Sequence, residues 1–222
     1  MEIRTAFHKR LREIQNDVLA MGSMVEKAIS RSVEALKERD LNKAQRVIVD
    51  DQKINKERFT IEEKCVELIA TQQPMAGDLR AIICVLNIIT EIERIGDHAE
   101  GIAKIVVMIG DEPPLKPLID IPRMAEKVND MLHRSLSALM NRDADAAKEI
   151  VTEDNEVDDL YDQVFRELLT FMAEDPKTIT RATRLIWVAH NLERSADRVT
   201  NICERVVYMV TGKMEELEVS KY

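Results

Sequence analysis

The stretch Leu192–Ile202, LERSADRVTNI, sets Glu193 and Asp197 one helical turn apart with Arg194 after the Glu, inside a helix-forming, partly apolar run. One hundred positions earlier, Ile92–Ile102, IERIGDHAEGI, repeats the arrangement with Glu93, Arg94 and Asp97. Like charges four residues apart on a helix destabilise it by about 0.2–0.5 kcal/mol unless a cation stands near. Their recurrence asks for a partner, either an arginine or a metal ion, and marks the chain as a duplicated one.

Around these pairs the apolar residues recur in steps of three and four, as one face of a packed helix requires. One stripe holds Leu185, Val188, Leu192, Ala196, Val199, Cys203, Val206 and Val210, and its mate holds Ile82, Leu86, Ile89, Ile92, Ile95, Ala99, Ile102 and Val106. These are core positions. Further upstream the repeat continues at an offset of 103, where Arg31, Ser32, Ala35, Leu36, Arg39, Asp40, Ala44 and Asp51 match Arg134, Ser135, Ala138, Leu139, Arg142, Asp143, Ala147 and Asp154. The change of offset from 103 to 100 falls at a helix–helix loop, where deletions are tolerated.

Prolines divide the chain. Pro113, Pro114, Pro117 and Pro122 lie in GDEPPLKPLIDIP, which reads as a linker because proline removes a hydrogen bond from a helix interior. Pro74 and Pro176 break each half at an equivalent place, and Asp40 and Asp143 are suited to cap helix N-termini. Six helices follow, over about 3–38, 41–72, 78–109, 122–141, 143–174 and 178–211. The longer ones would run about 48 Å at ~1.5 Å per residue and need lateral packing to persist. The expected architecture is all-α: a first three-helix bundle over 1–110, a linker over 111–121, a second bundle over 122–215 and a tail over 216–222.

Composition agrees with long helices: 6 Gly, 6 Pro and 4% aromatic residues in 222. The N-terminal MEIRTAFHKRLREIQ is charged throughout and lacks the apolar core of a signal peptide, so a soluble, cytoplasmic protein is expected. Cys65, Cys84 and Cys203 are odd in number and far apart, and read as reduced core or boundary residues. A net charge of −9 opposes binding to nucleic acid and general adhesion to anionic lipid. Arg4, His8, Lys9, Arg10 and Arg12 could form a local basic patch, although a solvated helix face is the ordinary reading.

Acidic pairs also occur on the preceding helix of each half: Asp154 with Asp158, and Asp51 with Asn55. Adjacent antiparallel helices would bring Glu93, Asp97, Asp51 and Asn55 into one set and Glu193, Asp197, Asp154 and Asp158 into the other. Oxygen donors contributed across a helix pair are how bundles hold iron, manganese and other hard or borderline cations. At the edge of the apolar stripe such sites would keep open, water-filled positions. His190, three residues before Glu193, could add a nitrogen ligand, whereas His98 points elsewhere and reads as a surface or interface residue. No phosphate loop, nucleophile elbow or HExxH motif is present, so catalysis has little support in the sequence.

DLRAIICVLNIITEIERIGDHAEGIA (Asp78–Ala103) resembles the signature of the PhoU family of phosphate-transport regulators, and RATRLIWVAHNLERSADRVTNIC (Arg181–Cys203) is similar to that family's second, degenerate copy. The resemblance covers residues 1–215. It implies tandem three-helix bundles, a homodimer, no enzymatic activity, and a cytoplasmic adaptor between the ATPase subunit of the phosphate ABC transporter and a membrane sensor histidine kinase. Such an adaptor reaches the membrane only through its partners and holds phosphate-starvation genes off. The resemblance further implies multinuclear iron, zinc or another divalent metal at the E/DxxxD motifs, here Glu93 with Asp97, Glu193 with Asp197, Asp154 with Asp158, and Asp51 with Asn55. Asn55 in place of a carboxylate, and Gly101 where the second half keeps Asn201, weaken that expectation for the first half. A metal-storing or redox bundle, a purely structural helical scaffold, or a paralogue regulating another transport or stress pathway would use the same residues.

Overall fold

The computed structural model describes residues 2–217, with side chains described from residue 6. Helices α1 (Glu2–Glu38), α2 (Leu41–Gln72) and α3 (Gly77–Ile109) form the first half. The second contains α4 (Asp120–Asn141), α5 (Ala144–Thr152), α6 (Asp154–Glu174) and α7 (Ile179–Thr211). No strand occurs among the described residues, and no described helix is long and apolar enough to cross a membrane. The two aspartate caps are present: Asp40 accepts from the Lys43 N–H at 2.8 Å and Asp143 from the Ala146 N–H at 2.9 Å, each satisfying an N–H that the helix cannot.

Two expectations need correction. The helix expected over 143–174 is interrupted at Glu153, whose N–H bonds the Ile150 carbonyl three residues back, at 3.0 Å. Its carboxylate is gripped from α4 by Lys127 at 2.7 Å and Arg134 at 2.6 Å, and this two-cation fork fixes the bend. The repeat mate Asp50 has Lys53 at 2.6 Å from its own helix and only a longer 3.7 Å contact to Arg31, and α2 runs unbroken. The linker is also shorter than expected. Pro122 lies in the first turn of α4, where its missing N–H has no helical partner to lose.

The halves are joined by one continuous apolar core rather than by the linker alone. α3 packs antiparallel along α7, and α1 packs on α4. At the second crossing Gly22 leaves room for Leu136 of α4, whose Cδ1 occupies the space that a Cβ at Gly22 would take. The expected stripes are core residues with two exceptions. Val210, at the last turn of α7, is exposed, because Val207 and Met209 take the inward positions there, and Leu86 is half-buried at the core's edge. Cys65, Cys84 and Cys203 are free and buried, and burial pushes their thiols up to about 12, 11 and 12.

Candidate functional site

α3 and α7 face each other through repeat-related residues. Glu91 of α3 accepts from Arg198 at 3.4 Å and Asn201 at 3.3 Å of α7. In the reciprocal position Asn191 meets His98, Oδ1 to Nδ1 at 3.3 Å, and a Cβ on Gly101 would lie 3.0 Å from the same Oδ1. Residues 91 and 191, 98 and 198, and 101 and 201 are therefore exchanged across a pseudo-twofold axis. Gly101 departs from Asn201 because Asn191 occupies the space a side chain would need. His98 is the interface histidine expected from the sequence, and burial pushes its imidazole down to about 4.

On the flanks of this pair, the acidic residues gather where α2 meets α3 and where α6 meets α7. In the first half Asp51 is buried; Asn55 donates to its Oδ2 at 2.8 Å, while Oδ1 is buried with no hydrogen-bond partner. Burial, followed by the charges of Asp97, Glu100 and Glu93, raises the Asp51 carboxyl to about 6. Glu93 is raised by burial and by Asp97, and Asp97 by burial and by Glu100. In the second half burial, with Asp197 and Asp158, lifts Glu193 to about 7, against the lowering effect of Arg194. Its Oε2 makes no hydrogen bond, although His190 Nδ1 lies 3.3 Å away. Asp154 is buried at the first turn of α6, and Asp158 is half-buried one turn on.

The structure thus brings Glu93 and Asp97 close enough to raise Asp51, and Asp158 and Asp197 close enough to raise Glu193. Of the two partners considered for the pairs, the arginine occurs at each. Arg194 bonds Asp197 at 2.8 Å. Arg58, unnoticed in the sequence, reaches across from α2 to stand 3.7 Å from Glu93 and stacks 4.6 Å over Phe59. Its repeat mate at the offset of 103 is Tyr161, so the second cluster has no arginine from the facing helix at that position. The offset itself carried this signal.

Oxygen donors that include Asp51 Oδ1 and Glu193 Oε2, buried atoms without a hydrogen bond, have the chemistry to take a hard cation. Among the described residues, however, no group of three or more His, Cys, Asp or Glu is placed to hold one. The chain therefore offers carboxylate pairs, and water would complete any coordination. Of the N-terminal basic residues, Lys9 and Arg12 are exposed, and two others face acids. His8 lies 3.6 Å from Asp78 and Arg10 3.6 Å from Glu67; the Arg4 side chain falls outside the described residues, as do residues 218–222 of the expected tail.

A family model described as the PhoU domain matches residues 18–106 and again 121–206. The chain is 40% identical over 215 residues to a phosphate-specific transport system accessory protein PhoU homolog of Clostridium acetobutylicum, covering 96% of this chain and 98% of that protein. To the phosphate-specific transport system accessory protein PhoU of Escherichia coli it is 36% identical, over 93% of this chain and 86% of that one. The crystal structure of the phosphate transport system regulatory protein PhoU from Streptococcus pneumoniae superposes with a TM-score of 0.88 at 30% identity, covering 95% of this chain and 99% of that chain.

Proposed function

This chain belongs to the PhoU family, and from that premise we propose that it is a non-enzymatic accessory regulator of a phosphate transport system. It acts as an adaptor between the transporter's ATPase subunit and the sensor histidine kinase, and keeps the starvation response off when phosphate is plentiful. The observation that carries this reading is the nearly end-to-end similarity to proteins named for accessory roles in phosphate-specific transport, which spans both repeats.

The acidic clusters supply its docking face. An adaptor alters a kinase's output only by binding one of the kinase's states better than another. Crowding raises the Asp51 and Glu193 carboxyls, so a cationic surface that covered the clusters would relieve their mutual repulsion and favour the ionised form. A divalent or iron-containing centre would rest on a carboxylate pair, Glu193 with Asp197 or Asp154 with Asp158, in preference to Glu93 with Asp97 or Asp51 with Asn55, with water completing the coordination. In the first set Tyr161 replaces the competing Arg58, and Asp158 replaces Asn55. The cation would contribute positive charge that relieves the mutual repulsion. The homodimer expected for the family belongs to the same proposal.

Co-purification tests the adaptor reading. Tagged wild-type chain, expressed in its host in high phosphate, should retain the transporter ATPase subunit and the kinase, and a Glu193→Lys/Asp197→Lys variant of unchanged helicity should lose at least one of them. Retention of neither partner by the wild type, or of both by the variant, would contradict it.

A further inference from the structure

Beneath the proline-rich linker lies a cavity of about 310 Å³, at the lower end of the range that accommodates small organic ligands. Three helix ends meet there: the C-termini of α1 and α3 and the N-terminus of α7. Its wall is apolar, built from Leu36, Ile109, Leu115, Leu118 and Leu185, with linker prolines as the roof. The roof is tied down on both sides. The Arg181 guanidinium donates to the Pro113 carbonyl at 3.2 Å, Arg184 reaches Glu112 at 3.4 Å, and the nearly buried Lys116 pairs with Glu167 of α6.

The charge at the rim is unbalanced. Lys37 and Arg39 line the cavity, and no described carboxylate pairs with either. The acids nearest in sequence are engaged elsewhere: Glu34 and Glu38 by the Lys43 ammonium, at 3.3 and 2.7 Å, and Asp40 by the Lys43 N–H as the cap of α2. Both cations are exposed, and they stand beside an apolar hollow on a chain of net charge −9. The opposite end of the α3–α7 pair does not repeat the feature: the depression there sets Glu204, Glu215 and Glu216 against Arg205. The cavity thus belongs to the linker and not to the repeat.

We propose that this cavity is a binding site for a small amphipathic anion, its apolar body seated against Leu36, Ile109 and Leu115 and its carboxylate or phosphate head on Lys37 and Arg39. The inference is independent of the regulator reading and of the acidic clusters. Because the wall draws on α1, α3, the linker and α7, an occupant would bind both halves at once.

The full chain is titrated with 1-anilinonaphthalene-8-sulfonate, itself an amphipathic anion, and the bound dye is then displaced with octanoate, 1-octanol or inorganic phosphate. Octanoate should displace it at least tenfold more effectively than 1-octanol, and phosphate should not displace it. In Lys37→Gln/Arg39→Asn, octanoate affinity should fall about tenfold with 1-octanol unchanged. Asn accepts the left-handed backbone that Arg39 adopts at φ 58°, so that variant should keep its fold. Leu115→Trp, which fills the hollow from the linker, should abolish both. Equal displacement by octanoate and 1-octanol, displacement by phosphate alone, or octanoate affinity unchanged in both variants would overturn the proposal.

Discussion

Replacing Glu193 by Gln should stabilise the cation-free protein at alkaline pH. The Glu193 carboxyl is raised from its ordinary 4.5 to about 7, first by burial and then by Asp197. A carboxyl whose folded value lies above its unfolded one favours the folded state while protonated, and stability is lost as pH rises from 4.5 through about 7. At about 1.4 kcal/mol per pH unit, the ionised group withholds about 3 kcal/mol above pH 7. Gln removes the charge but still buries a polar group, so the expected gain is about 2 kcal/mol at pH 8 and near zero at pH 5. Urea denaturation in chelator at both pH values measures it, and the difference between variant and wild type cancels the other titrating groups. Repeating the series with Mn²⁺ should stabilise the wild type more than Glu193→Gln at pH 8, since a bound cation offsets the same repulsion. A variant less stable than wild type in chelator at pH 8, or a difference that does not change with pH, would refute the reasoning.

Two further outcomes follow from buried groups. His98 is held down to about 4, chiefly by burial; the unfolded chain therefore binds a proton that the folded one refuses, and up to about 3 kcal/mol is lost as pH falls from 6.5 to 4. His98→Asn should flatten this acid limb in denaturation curves while leaving stability at pH 8 within about 1 kcal/mol. Cys65, Cys84 and Cys203 lie in the core as thiols, so a disulfide-exchange reagent should leave all three unmodified in the native protein at pH 8 and modify all three in urea. Rapid native labelling of any of them would contradict their placement.

The helix boundaries were legible because the residues that set them act locally. Asp40 and Asp143 cap through their own side chains, and Pro74 and Pro176 stop helices through their missing N–H. The break at Glu153 was not, because Lys127 and Arg134 act on it from another helix and α5–α6 reads as one uninterrupted helical pattern. Likewise the pairing of α3 with α7 through Glu91, Arg198, His98 and Asn191 depends on how the two repeats turn about each other, which periodicity within either helix does not encode. Of the site, the Glu–Asp pairs and their facing aspartates were readable as matched offsets, and Glu93 and Asp97 lie near enough to Asp51 for their charges to raise it. Arg58 was missed because it contributes to the acidic cluster only across the α2–α3 interface, and the apolar hollow under Pro113 and Pro117 depends on how three helix ends meet.

Alkaline phosphatase output in high phosphate tests the central claim most directly, in the host lacking this gene and complemented with wild type or with Asp97→Ala/Asp197→Ala. The account predicts that deletion switches output on, that wild type silences it, and that the double variant does not. Output that stays low after deletion would contradict the regulatory role, and silencing by both proteins would contradict the part given to the acidic clusters.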